Sequence, residues 1–241
     1  MKIKITLCYD GTSFYGSQIQ PDFPSIHSQL LEVLQVLNIN TTLDFSGRTD
    51  KGVHAFRQVV SCEIPSFWKD LQKLKTALNK QLPDSILIRD IREVNDTFHA
   101  RFSATKREYR YLITNKRITP FTSKYRSFYE YIDAQKIREA INIFIGIHDF
   151  EFFSKKGSDP LSTIREIYAI HFYKYKDVYV FNFQANSYLR SQIRMIVDFI
   201  MKISSGKLSI EDLKLQLAKK KLISWTLAPS NGLYLSKIHY K

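Results

Sequence analysis

Two stretches of this chain spell out the same order of periodic segments, and that repetition limits the fold more than any single motif does. "KIKITLCYD" sets Ile3, Ile5, Leu7 and Tyr9 on one face, the alternation of a half-buried strand. After the polar loop "GTSFYGSQIQPDFP", Ser25 is placed to cap a helix whose apolar positions are Ile26, Leu30, Leu31, Leu34 and Leu37. "TTLDF" and "RQVVSCEI" read as two strands on either side of a glycine-bearing loop. A helix is predicted over Trp68–Leu82, stopped at Pro83, and "SILIRDIREV" reads as a strand. The second stretch follows the same order. "REYRYLIT" is a strand, and Asp133 caps a helix that runs through Phe144 and ends at Gly146. "IREIYAIHFYKYKDVYVFNFQA" is a hairpin turning near Lys176 and Asp177. "YLRSQIRMIVDFIMKI" carries Ile193, Ile196, Val197 and Ile200 at helical spacing. Ser209 then caps one more helix, with Asp212 at the capping-box position, and "LYLSKIHY" closes as a strand.

Each half therefore runs strand, helix, strand, strand, helix, strand, with one added helix before the last strand of the second, which is the ferredoxin-like plan. The expected class is α+β: two ferredoxin-like halves, residues 1–104 and 105–241, joined into one continuous, mixed, mostly antiparallel sheet with helices on one side. No Pro/Gly linker marks the boundary, which favours a tight join over two free domains.

Charge narrows the class of partner. The chain has 36 Lys+Arg against 23 Asp+Glu, a formal net charge of +13, together with 14 Tyr and 17 Phe. A basic, aromatic-rich surface fits a polyanion, and nucleic acid first. Cys8 and Cys62 lack any Cys-x-x-Cys spacing, which points away from a disulfide framework and towards a reducing compartment. The first residues alternate where a signal peptide would need a continuous apolar run, and no uncharged run approaches the ~18 residues of a membrane span. A cytoplasmic protein with no membrane partner is the expectation.

Three stretches could carry chemistry. "FSGRTDKGVHAF" (45–56) holds Arg48 and Asp50 one residue apart between glycines. As a plain β-turn it has Asp and Gly in their usual places. As a functional loop it aims Asp50 into a cleft, with Arg48 reaching outward and a cation near a carboxylate that must stay ionised. In "TFHARFSATKREYRYLITNKR" (97–117), Lys106, Arg107 and Arg110 interleave with Tyr109 and Tyr111. Arginines holding phosphates beside aromatic faces is how unpaired RNA is gripped; two tyrosines on one face of a strand could equally be core. In "ANSYLRSQIRMIVDFI" (185–200), Arg190 and Arg194 lie four apart on an apolar helix. Arg190 falls at the exposed start. Arg194 sits among Ile193, Met195, Ile196 and Val197, where it either pairs with a carboxylate or snorkels. His27, His54, His99, His148, His171 and His239 have no metal-ligand spacing, and His54 reads as a support for the Asp50 loop. There is no phosphate-binding loop, nucleophile elbow or dinucleotide fingerprint, so an enzyme reading implies neither metal nor nucleotide cofactor.

Five stretches, in order over nearly the whole chain, resemble the tRNA pseudouridine synthase A family: "YDGTSFYGSQIQP" (9–21), "GRTDKGVHA" (47–55), "FHARFSATKREYRYLITN" (98–115), "ANSYLRSQIRMIV" (185–197) and "GLYL" (232–235). The resemblance implies a cofactor-free isomerase acting on uridines on the 3′ side of the tRNA anticodon stem-loop. It also implies two ferredoxin-like halves sharing one sheet, and a homodimer. By position, Asp50 matches the family's catalytic aspartate and Arg48 the arginine linked to flipping the target nucleotide. Tyr109 matches the tyrosine that stacks on the flipped uracil, Arg194 the arginine that pairs with the aspartate, and Leu189 an apolar residue lining the pocket. Lys106, Arg107 and Arg110 are the candidate RNA contacts. Two departures bear on how RNA is held: Ser17 stands where the family commonly has tryptophan, and residues 150–166 follow the family's Phe-Ser pattern loosely. The rival from another class is a non-catalytic RNA-binding protein of RRM-like fold, which has no use for an Asp50–Arg194 pair. A glycosidase typically needs two carboxylates at the bond, and the Asp50 motif supplies one.

Overall fold

A computed structural model describes residues 1–157 and 161–241; three residues of the divergent 150–166 segment, 158–160, lie outside them. The described residues form an α+β chain of ten strands and five helices. They divide into two compact units, Met1–Thr105 with Tyr234–Lys241, and Lys106–Leu233. No helix among them is long and apolar enough to cross a membrane.

In the first unit β1 (Lys2–Tyr9) precedes helix α1 (Ile26–Val36), β2 (Asp44–Phe45), β3 (His54–Glu63), α2 (Leu71–Gln81) and β4 (Ile86–Glu93). β1 pairs antiparallel with β3 on one side and β4 on the other. Its alternation resolves as expected, with Ile3, Ile5 and Leu7 fully buried. The helices bury one face each, Ile26, Leu30 and Leu34 of α1 and Leu74 and Leu78 of α2. Each such leucine contributes ~1.5–3 kcal/mol by leaving water. Ser25 caps α1 in a capping box completed by Ser28, and the Asp70 side chain accepts from the N–H groups of Gln72 and Lys73. That cap starts α2 at Leu71, three residues later than the apolar pattern suggests. β2 shrinks from the expected "TTLDF" to two residues, paired antiparallel with Ser61 and Val60.

The second unit contains β5 (Ala104–Thr114), β6 (Ser127–Phe128), α3 (Ala134–Ile143), β7 (Gly146–Asp149), β8 (Ile164–Tyr175), β9 (Val178–Ala185), α4 (Gln192–Ser204) and α5 (Ile210–Leu217). β5 pairs antiparallel with β9, β9 with β8 and β8 with β7. The β8–β9 turn is the expected Lys176–Asp177, with Lys176 at φ +52°. Asp133 and Ser209 cap α3 and α5, the latter in a capping box with Asp212. The core is aromatic: Tyr111, Phe144, Phe150, Phe153, Phe181, Phe183 and Phe199 are all essentially inaccessible.

The last strand, β10 (Leu233–Tyr240), closes the second half's strand–helix order, and the sequence boundary of 105–241 counts it there. From Tyr234 on it clusters with the first unit. It pairs in parallel with β3, Tyr234 opposite His54 and Leu235 opposite Ala55. β3 therefore carries two strands on its outer edge, β2 near one end and β10 near the other.

Candidate active site

Asp50 lies on the loop between β2 and β3, half-buried, with exposed Arg48 and buried Thr49 before it. The side chain between the two charges is the anchor. The Thr49 hydroxyl is hydrogen-bonded to the Tyr9 hydroxyl at 2.8 Å. The Thr49 N–H donates to Ser17 Oγ at 2.9 Å, and its carbonyl accepts the Ser17 N–H at 3.1 Å. Burial pushes the Tyr9 phenol up to about 12, against opposing hydrogen bonds from Thr49 and Gln58, so it stays protonated at neutral pH. Gln58, fully buried on β3, accepts from Ser46 Oγ at 2.7 Å and donates to the Gly47 carbonyl at 2.9 Å. Downstream, the Val53 N–H closes a turn on the Asp50 carbonyl at 3.1 Å, and the Gly52 N–H donates to the Phe14 carbonyl at 3.2 Å. Ser46, Gly47, Thr49 and Gly52 are thus tied to β1, β3 or the loop after β1. Thr49, pinned between the opposite charges, is buried, while Arg48 stays exposed and Asp50 half-buried.

Two glycines let the loops approach this closely. A Cβ on Gly11 would stand 2.0 Å from the Val53 carbonyl oxygen, and one on Gly16 would stand 2.5 Å from that of Thr49. Gly16 also has φ +99°, a region that disfavours side chains. The Gly11 N–H donates to Nδ1 of buried His54 at 3.1 Å, so His54 supports the loop as its place in the sequence suggests.

Ser17 is fully buried. It acts on the segment that carries Asp50 and not on a surface open to a ligand, which revises the expectation that it bears on how RNA is held. Ser17→Ala leaves the buried Thr49 N–H without its acceptor. Urea unfolding should show a loss of ~1–3 kcal/mol, and turnover should fall while affinity holds. A variant with the parent's stability and rate would remove Ser17 from the support.

The other candidates belong to the second unit. Tyr109 and Tyr111 face the same way on β5, buried, with Arg110 exposed between them. Tyr111 is a core residue: its hydroxyl donates to the Pro229 carbonyl at 2.7 Å and is bonded to Ser127 Oγ at 2.8 Å. Tyr109 pairs across strands with Phe183 and meets the Tyr188 ring edge-on, centroids 5.2 Å apart. The Tyr188 hydroxyl is buried with no hydrogen-bond partner among the described residues, and its burial, then Tyr109 and Glu108, hold it well above the usual phenol range. Lys106 and Arg107, read as RNA contacts, have protein partners. Lys106 Nζ donates to Gln184 at 3.0 Å and lies 3.3 Å from Glu108, and Arg107 Nη1 donates to the Asn186 carbonyl at 2.7 Å.

α4 begins at Gln192, later than its pattern predicts. Ser191 takes φ +58°, and the Gln192 side chain accepts the Leu189 N–H at 2.8 Å. That turn buries Leu189 and leaves Arg190 exposed. Arg194 is half-buried on α4; its Nε donates to the Ala228 carbonyl at 2.7 Å, and the Ala228 N–H returns a bond to the Arg194 carbonyl at 3.0 Å. Its charge also opposes the rise that burial imposes on the Tyr111 and Tyr129 hydroxyls.

The loop that pins Asp50 falls in a segment that a known family shares, whereas the strand that carries Tyr109 lies between that family's two matched segments. The family model described as tRNA pseudouridine synthase matches residues 8–103 and 140–241. The chain belongs to the tRNA pseudouridine synthase family. It is 42% identical over 240 residues to the tRNA pseudouridine synthase A of Campylobacter jejuni strain RM1221, covering 100% of both chains. It is 40% identical over 233 residues to that of Wolinella succinogenes, covering 97% of this chain and 92% of the other. With that of Geobacillus sp. strain WCH70 it shares 37% over 249 residues, covering 99% and 98%. For a pseudouridine synthase the residues that sequence reasoning missed are those behind the aspartate: Tyr9, Thr49 and Gln58. Gln58 had a signal, an amide inside the apolar run "RQVVSCEI". Thr49 and Tyr9 had none, since their bond joins residues forty positions apart.

Proposed function

We propose that this protein isomerises uridine to pseudouridine in tRNA, with Asp50 as the group that attacks C1′ or takes the proton from C2′. Membership of the synthase family carries the reading, and the tethered Asp50 loop supports it. The reaction breaks the C1′–N1 bond, turns the uracil and joins C5 to C1′. The C5 proton leaves and N1 gains one, so the product is an isomer. Nothing is oxidised and no group is transferred, so the chemistry calls for a carboxylate and a way to retain the detached base.

The remaining roles are those that the family resemblance implies. Arg48, exposed on the same loop, fills the space that the extruded nucleotide leaves. Tyr109 stacks on the uracil and keeps it from escaping, and Leu189 gives the pocket an apolar wall. Arg194 is the cation that the family resemblance assigns to the Asp50 carboxylate. Arg110 is the exposed cation of β5 and the better RNA contact; Lys106 and Arg107 act first on Gln184, Glu108 and Asn186. The targets are uridines on the 3′ side of the anticodon stem-loop, in the cytoplasm. The working form is a homodimer, checked by sedimentation equilibrium against the 28.3 kDa chain mass.

The deciding experiment maps pseudouridines in tRNA from a strain lacking this gene, then restores the gene. The marks on the 3′ side of the anticodon stem-loop should vanish and return; an unchanged map would count against the reading. Tyr109→Phe keeps the stacking face and loses the hydroxyl, whereas Tyr109→Leu loses both. Stacking alone predicts near-parent single-turnover rates for Phe and a loss on the order of tenfold or more for Leu. Parent rates in both would return Tyr109 to the core.

A further inference from the structure

The loop between β1 and α1 holds an aromatic stack that the mechanism above does not use. The Tyr15 and Phe23 rings lie nearly parallel, centroids 4.0 Å apart at 10°. Lys51, the residue after Asp50, sets its ammonium 3.6 Å from the centre of the Tyr15 ring. Two groups this close to one ring must occupy opposite faces, so the order is Lys51, Tyr15, Phe23. Phe23 is 48% exposed even with one face against Tyr15, which leaves its outer face to solvent. Lys51 is exposed at the other end.

The stack is fixed to the Asp50 loop by backbone bonds. Phe14 accepts from Gly52, Ser17 exchanges bonds with Thr49, and the Tyr15 N–H donates to the Pro24 carbonyl at 2.9 Å, closing the loop beneath the rings. A substrate that reaches Asp50 meets this stack one residue away.

We propose that Lys51, Tyr15 and Phe23 form a platform for an unpaired nucleotide flanking the target: the outer face of Phe23 stacks a base and Lys51 holds a backbone phosphate. An exposed aromatic face combined with a fixed cation is what single-stranded RNA binds, and stacking of this kind tolerates any base. The Lys51–Tyr15 contact holds the ammonium in place before RNA arrives. The ordinary alternative is a surface staple in which Phe23 serves only to cover Tyr15. A leucine would serve the staple nearly as well and the platform hardly at all. This inference rests on the tRNA reading above and extends it to how the strand beside the target is held.

The test compares Phe23→Leu, Phe23→Trp and Lys51→Met with the parent for affinity to an unmodified tRNA transcript over a range of KCl, with turnover and urea midpoints measured on the same preparations. Phe23→Leu should bind on the order of tenfold more weakly, with raised KM and near-parent kcat, and Phe23→Trp should bind as the parent does. Lys51→Met should flatten the slope of log affinity against log salt by about 0.7–0.9, one phosphate contact. Parent affinity in Phe23→Leu, equal weakening in Phe23→Trp, an unchanged slope in Lys51→Met, or a loss that tracks a fallen urea midpoint would each overturn the platform. The parent's own turnover separates the two readings: an inactive parent strikes the synthase assignment, whereas an active parent with indifferent variants strikes the platform alone.

Discussion

Asp50→Asn is expected to hold tRNA as tightly as the parent and to lose turnover by on the order of 10³-fold or more. The amide has nearly the carboxylate's shape, so what it removes is the charge and the ability to attack carbon or accept a proton. The loop should survive the change. Its ties run through Thr49, Ser17, Gly52 and the Asp50 backbone carbonyl, and asparagine keeps that carbonyl bonded to Val53. Single-turnover conversion of a tRNA transcript, with binding measured separately, reads both expectations. Turnover within tenfold of the parent would end the assignment of Asp50. Lost binding would instead give its charge a part in holding the RNA.

Gly11→Ala should damage the same loop from beneath. Its Cβ would fall 2.0 Å from the Val53 carbonyl oxygen and 2.6 Å from the carbon, both backbone atoms with no rotamer to escape into. Relief requires Val53 to move, and the Val53 N–H is what closes the turn on Asp50. It also requires the Gly11 N–H to shift from His54 Nδ1. Forcing atoms into a packed site costs ~1–3 kcal/mol when side chains yield, and a backbone clash lies at or beyond the top of that range. Urea unfolding should show a loss of about 3 kcal/mol or more, and turnover should fall further than binding. An unchanged unfolding midpoint would mean that the loops have more room than the geometry gives.

Much of the fold is local and therefore legible. The alternation of Ile3, Ile5 and Leu7 is borne out, as are the caps at Ser25, Asp133 and Ser209 and the turn at Lys176–Asp177. What the sequence hides is set by distant partners. β3 begins at His54 and not at Arg57, because β10 pairs with His54 and Ala55 and β1 reaches Ala55 through Tyr9. β6 and β7 are too short to leave a pattern; each is a strand only because β5 or β8 lies beside it. α4 starts late because a glutamine side chain captures the Leu189 N–H, which no capping rule anticipates. The candidate site divides in the same way. A charged pair between glycines is conspicuous in one dimension. The hydroxyls that hold it are ordinary polar residues until Tyr9 and Ser17 are brought beneath Thr49 from forty and thirty-two positions away.

The pairing of β10 with β3 has a bearing on how the protein is made. The first unit is discontinuous in the chain: its strands up to β4 leave the ribosome early, and β10 comes only after the whole of the second unit. Throughout that interval the stretch of β3 edge that β10 covers, at His54 and Ala55, stands open beside the turn that carries Asp50. A nascent chain halted anywhere in the second unit thus has its reactive loop next to an unzipped edge. The first unit is complete only when translation has delivered its last strand.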